Sequence, residues 1–170
     1  MILTSAMARY ALLARTRTVA MVGASATTTR PSYFVFSYLR TESRFDVAPV
    51  NPALAEIDGV KAYASLAAYA AERGAPDLVD VFRKPAEAPA VVRDAIAAGA
   101  RAVWFQYGVV DDEAIRLADE AGLDVVVDRC LKVESARFDG GLSSGGFDSG
   151  VVTAKRFFPL GSRRRPGGNA

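Results

Sequence analysis

The tripeptide Gly23-Ala24-Ser25 follows directly on an apolar run, Val19-Ala20-Met21-Val22, and is followed by Arg30-Pro31 at the start of a second patterned segment. A glycine at such a junction lets the chain turn sharply. Backbone N–H groups exposed there, together with the positive end of the next helix, attract an anion. Ser25 adds a hydroxyl, and Arg30 a guanidinium suited to a charge-assisted bond with a phosphate oxygen. The same residues also fit a plain turn, with Arg30 a solvated surface charge.

The surroundings of this loop narrow the chemistry. A dinucleotide fingerprint needs two further glycines, where this chain has alanine, serine and a run of threonines. The segment Phe45–Val50 ends in Asn51-Pro52, at the position where NAD-binding domains place an acid for the ribose hydroxyls, and Asp46 falls at its other end. No arginine follows to hold a 2′-phosphate, and no lysine follows the loop glycine as in an ATPase. The 170 residues contain no histidine. That excludes a Ser-His-Asp triad, a Cys-His dyad, a His-ligated zinc and a phosphohistidine carrier. Neither a catalytic set nor a metal site is expected, so the chain reads as a binder and not an enzyme. The single cysteine, Cys130, rules out an internal disulfide and suits a reducing compartment. Arg129 beside it would favour a thiolate, and so a mixed disulfide with a ligand thiol, against the plainer alternative of a small buried thiol.

The elements that must position these residues alternate along the chain. Apolar runs at Thr18–Val22, Phe45–Val50, Val60–Tyr63, Leu78–Phe82, Ala102–Gln106 and Val125–Val127 lack strict alternation, as strands covered on both faces do. Helical segments are expected over Ser32–Thr41, with Tyr33, Phe34, Phe36 and Leu39 apolar, over Leu66–Ala71 capped by Ser65, from Pro85 to Ala98, and over Asp111–Ala121. A leading amphipathic helix within Ile2–Arg17 would bury Ile2, Leu3, Met7, Tyr10 and Leu13. This pattern predicts an α/β fold, a Rossmann-type doubly wound parallel sheet of six strands in the order 3-2-1-4-5-6 with helices on both faces. Ligands bind such sheets beyond the carboxyl ends of the strands where the order reverses, which selects loops 23–31, 50–53, 82–85 and 106–111.

Composition agrees with one folded domain over residues 1–140 and a glycine-rich, then basic, extension over 141–170. Apolar residues make up 51% of the chain and charged residues 24%. Five of the 21 basic residues lie in the last 16 positions, leaving 16 against 19 acids before them. A body of that sign is a poor partner for nucleic acid, and the terminal Arg163–Arg165 run reads as a solvated tail. Ile2–Arg17 carries Arg9 and Arg15 and no long apolar core, so neither a signal peptide nor a membrane span is expected, and the location is expected to be cytoplasmic.

Six blocks in order carry a resemblance: Gly23-Ala24-Ser25, Arg30-Pro31-Ser32-Tyr33, Pro49-Val50-Asn51-Pro52, Asp80-Val81-Phe82-Arg83, Gln106-Tyr107-Gly108-Val109 and Asp128-Arg129-Cys130. Over about residues 15–138 the chain resembles the small stand-alone bacterial CoA-binding proteins, which are similar to the N-terminal CoA-binding domain of the succinyl-CoA synthetase α subunit. Gly140-Gly141 and Gly145-Gly146 also look like that family's C-terminal extension. The resemblance implies coenzyme A, free or acylated, as the ligand. It implies that Gly23, Ala24, Ser25 and Arg30 meet the pyrophosphate, that Asn51 and Pro52 flank the adenosine, and that Phe82, Arg83 and Gln106–Gly108 line the pantetheine path. Relatives often carry a lysine where this chain has Ala53, and a proline where it has Leu131. The ligase's catalytic histidine belongs to a second domain, so its chemistry does not transfer. From the residues themselves, Arg83 also fits a surface ion pair, and Gln106 either a cleft amide donor or a strand cap. The competing functions are a nicotinamide-dependent oxidoreductase or redox sensor on the same fold, and a regulatory protein with a vestigial cleft. Aromatic-rich helices leave room for a homodimer, and an acyl-transferring enzyme is the other expected partner.

Overall fold

The computed structural model describes residues 1–139, and the extension expected over 141–170 lies outside the described residues. Five parallel strands form the sheet: β1 (Thr18–Val22), β2 (Asp46–Val50), β5 (Leu78–Val81), β6 (Ala102–Phe105) and β7 (Asp124–Val126), in the order β2-β1-β5-β6-β7. The order reverses between β1 and β5, as expected. The helices are α1 (Ala6–Arg15), α2 (Pro31–Glu42), α3 (Leu66–Arg73), α4 (Ala88–Ala97), α5 (Asp112–Glu120) and α6 (Leu131–Asp139). Alternate side chains of each strand enter two separate cores. Ala20, Val79, Val81, Val103 and Phe105 meet α3, α4 and α5. Val19, Met21, Leu78, Ala102 and Trp104 meet α1, α2 and α6. Both faces of every central strand are therefore dry, which explains why the strands read as continuous apolar runs.

The predicted third strand is corrected. Asp58 and Gly59 both adopt positive φ, 49° and 76°, and close a two-residue hairpin between β3 (Glu56–Ile57) and β4 (Val60–Lys61). The segment pairs with itself, and only Tyr63 reaches β2, through one parallel bridge to Val50.

Two helix faces also differ from expectation. In α1 the buried residues are Arg9, Leu12 and Leu13, while Ile2, Met7 and Tyr10 are exposed. The cause is α6, which the sequence pattern did not reveal: its Glu134 is buried and takes Arg9 Nε at 2.8 Å. In α2 the apolar side is Val35, Phe36 and Leu39, and Phe34 is exposed. The caps follow the sequence closely. Ser65 Oγ accepts the Ala68 N–H at 3.1 Å, and Asp111 Oδ1 accepts that of Ala114 at 2.9 Å.

Candidate functional site

The turn after β1 is built around Gly23. Its φ is +86°, and a Cβ there would lie 2.2 Å from the Phe82 carbonyl oxygen, so only glycine fits. The Gly23 N–H donates to the Val50 carbonyl at 3.0 Å and the Phe82 N–H to that of Val22 at 2.8 Å. These bonds bring the carboxyl ends of β1, β2 and β5 together. Beyond Gly23 the main-chain N–H groups of Ala24, Ser25 and Ala26 have no partner among the described residues. Ser25 Oγ accepts the Thr27 N–H at 3.1 Å, which curls the loop toward α2. Arg30 occupies the cap position of α2 without a side-chain cap bond and is exposed, with no ion-pair partner among the described residues. No acid lies within residues 23–31. Unpaired amides, a helix start and a cation, with no nearby carboxylate, are a fitting donor set for a diphosphate.

Asn51 fixes this loop from the neighbouring strand. Its Nδ2 donates to the Ala24 carbonyl at 2.7 Å, and its Oδ1 accepts the Ala53 N–H at 2.9 Å. Pro52 and Ala53 are exposed beside it. Asp46, at the opposite end of β2, pairs with Arg73 away from the crevice.

The remaining expected residues divide. Phe82 is half-buried against the core under α2. Arg83 pairs with Glu87 at 2.5 Å, so its cation is shared with a surface carboxylate. Gly108 has φ +73° and donates its N–H to Asp128 Oδ1 at 2.9 Å, tying the loop after β6 to the loop after β7. Trp104 Nε1 reinforces that tie by donating to the Arg129 carbonyl at 2.6 Å. Gln106 is not a cleft donor: it is buried, and its Nε2 donates to Asp80 Oδ1 at 2.7 Å.

Asp80, in the block Asp80-Val81-Phe82-Arg83, is a carboxyl strongly perturbed by its burial. It is completely buried on the central strand, and its Oδ2 has no hydrogen-bond partner among the described residues. Burial pushes its carboxyl up to about 7, against the pull of the Gln106 amide. The signal was present in the sequence as an acid inside the apolar run Leu78-Val79-Asp80-Val81.

Cys130 packs against the same core at the start of α6. Its surroundings favour the neutral thiol, the plainer of the two alternatives. Burial pushes the thiol up, and the charge of Asp80 adds to this, although backbone N–H groups of Lys132 and Val133 pull the other way. Arg129 donates instead to the Asp128 carbonyl at 3.0 Å. Among the described residues no cluster of metal-ligating side chains occurs, and no helix is long and apolar enough to cross a membrane.

A parallel sheet flanked by helices, with a glycine turn at its switch point, defines a Rossmann-like α/β class, and the comparisons with known proteins specify the family. Residues 17–136 match the model of the CoA binding domain, and the chain belongs to that family. YneT of Bacillus subtilis (strain 168), described as uncharacterized, is 34% identical over 125 residues, 74% of this chain and 90% of YneT. A hypothetical protein from Pyrococcus horikoshii OT3 superposes with a TM-score of 0.73 at 37% identity, covering 79% of this chain and 92% of its own. A Thermus thermophilus structure, cell-free ID.343, gives 0.72 at 34%, covering 79% and 99%.

Proposed function

We propose that the chain binds coenzyme A, free or acylated, in the crevice at the carboxyl ends of β1, β2, β5 and β6, and does so as a carrier or sensor without turnover chemistry of its own. The observation that carries this is the match to the CoA binding domain over residues 17–136, which spans every loop of the crevice. The diphosphate sits on the Ala24–Ala26 amides, with Arg30 supplying the cation. The adenosine lies beside Asn51 and Pro52. The pantetheine arm runs past Phe82 and Arg83 toward the Gln106–Gly108 loop, where Tyr107 and Val110 offer exposed apolar surface. Ala53 puts no cation after Asn51-Pro52, so coenzyme A and dephospho-coenzyme A bind comparably. A nicotinamide dinucleotide would find no acid at the end of β2 for its ribose. The setting is cytoplasmic, and the partner is a second copy of the chain or an acyl-transferring enzyme.

Calorimetric titration with coenzyme A, dephospho-coenzyme A, NAD and NADP tests the reading. Saturable binding of the first two is expected, and a preference for either nicotinamide cofactor would overturn it. Native mass spectrometry of the freshly purified protein would report bound ligand and subunit number together.

A further inference from the structure

Asp80 sits completely buried on the central strand, and Gln106 Nε2 donates to its Oδ1 at 2.7 Å. Its Oδ2 is enclosed without a partner. Both residues belong to the ligand end of the sheet. Val81 pairs with Phe105, so Gln106 leaves β6 level with Phe82, whose carbonyl closes on Gly23. The Gln106 carbonyl accepts the Val109 N–H at 2.9 Å and closes the turn that carries Tyr107 and Gly108. The bond to Asp80 uses one end of the Gln106 side-chain amide. The other end, Oε1, has no hydrogen-bond partner among the described residues. Unlike Asp80 Oδ2 it is not enclosed, Gln106 keeping 4% exposure. An ionised carboxylate accepts hydrogen bonds and never donates them, so it draws the amide NH2 inward and leaves the carbonyl oxygen outward.

We propose that Gln106 is a specificity-determining residue, held by Asp80 so that it offers the crevice an acceptor and no donor, and that it selects coenzyme A with a free thiol over the acyl thioesters. The inference rests on the coenzyme A reading above. The S–H at the end of the pantetheine arm donates to Oε1. A thioester lacks that hydrogen and sets its carbonyl oxygen against a second acceptor, an unpaired contact that counts against it. Asp80 is a positioning residue, acting through the orientation of the amide.

The selection is coupled to the Asp80 proton. Burial pushes its carboxyl from the ordinary 3.8 up to about 7, and no charged neighbour contributes to that shift. A protonated Asp80 gains a donor that finds no acceptor at Oδ2. Turning the Gln106 amide over lets the acid donate to Oε1 and presents the NH2 to the crevice, where a thioester carbonyl is then the better match. The groups that face Asp80 leave this exchange undisturbed. Its strand neighbours are Met21 and Trp104. The buried residues of α2 are Ser32, Val35, Phe36 and Leu39, while Tyr33 bonds Asp58 and Tyr38 lies under Lys132. Arg9 of α1 and Arg137 of α6 hold Glu134. Arg129 bonds the Asp128 carbonyl, and Cys130 is a half-buried thiol.

Calorimetric titration of the full chain with coenzyme A, acetyl-coenzyme A and the S-ethyl thioether of coenzyme A, at pH 8 and in mild acid, tests this. At pH 8 coenzyme A should bind on the order of tenfold more tightly than acetyl-coenzyme A. The thioether, which has the bulk of the acetyl group without its carbonyl, should fall between them. The preference should shrink as pH falls through about 7. Gln106→Leu and Asp80→Asn should bring the three affinities to within about twofold of one another, with coenzyme A still bound. Equal or reversed affinities at pH 8, a thioether as weak as the thioester, or a preference that Gln106→Leu leaves intact would overturn the proposal. The wild-type pH series decides the matter even if both variants fail to fold, because a preference that is constant with pH removes Asp80 from the selection. Binding of all three ligands without preference defeats this inference alone, whereas binding of none defeats the reading beneath it as well.

Discussion

The two sides of the crevice present opposite kinds of polarity. On the β1–β2 side the donors are main-chain amides of the Ala24–Ala26 loop, held by Asn51 and without a partner among the described residues. On the β5–β6 side the polar groups are side chains buried in the sheet, with Asp80 held by Gln106, and the half-buried Cys130 lies just before α6. The first side offers neutral donors whose charge does not change with pH. The second carries a carboxyl displaced almost to neutrality. A neutral backbone donor is inexpensive to expose, whereas a buried carboxyl costs stability.

Breaking the loop side should have the largest effect. Gly23→Ala forces a side chain into the positive-φ region, costing about 1–2 kcal/mol from conformation alone, and drives its Cβ into the Phe82 carbonyl. A strong fall in Tm and loss of coenzyme A binding are expected by thermal melts and calorimetry, and a variant with wild-type Tm would contradict the packing described.

The buried side should respond to pH instead. The Asp80 carboxyl sits above its ordinary 3.8, near 7, so the folded chain keeps a proton that the unfolded chain releases. Its stabilising contribution is complete below about 4, and it is lost as pH rises through 7. Asp80→Asn, which mimics the neutral acid, should therefore match wild type in mild acid and exceed it in Tm at pH 8. Parallel melting curves would show whether the gap opens with rising pH; a constant gap would mean that the carboxyl is ionised throughout.

Two smaller changes sharpen the contrast. Asn51→Ala removes the two bonds that hold the loop, at about 1 kcal/mol each, and should weaken coenzyme A binding about tenfold or more and lower Tm by several degrees. Glu87→Gln releases Arg83 from its surface ion pair. Such exposed pairs are weak, about 0.3–0.5 kcal/mol, so binding should tighten about twofold, and only at low salt. Titration at two ionic strengths would detect it, and no change at either would leave Arg83 outside the ligand's reach.

Much of the frame was legible because its signals are local. Gly23 after an apolar run, Asp58-Gly59 between short segments, Ser65 before Leu66 and Asp111 before Asp112 each act within a few residues, and each turn or cap formed where its residues indicated. The third strand was misread for the same reason. Val60–Tyr63 carries a strand's composition, but whether it pairs with β2 or with the other arm of its own hairpin depends on the geometry around it.

The sequence by itself determined the α/β alternation, the glycine turn after the first strand, the missing acid at the end of the second and the absence of histidine. Tertiary structure alone decided that Gln106 turns inward to a carboxyl 26 residues away, that Arg9 is buried to meet a glutamate 125 residues away, and that burial pushes the Cys130 thiol up. The physical reason is the range of the forces involved. Turns, caps and periodicity are written in neighbouring residues, whereas desolvation and the choice of an ion partner depend on which distant segments close over a group once the sheet has formed.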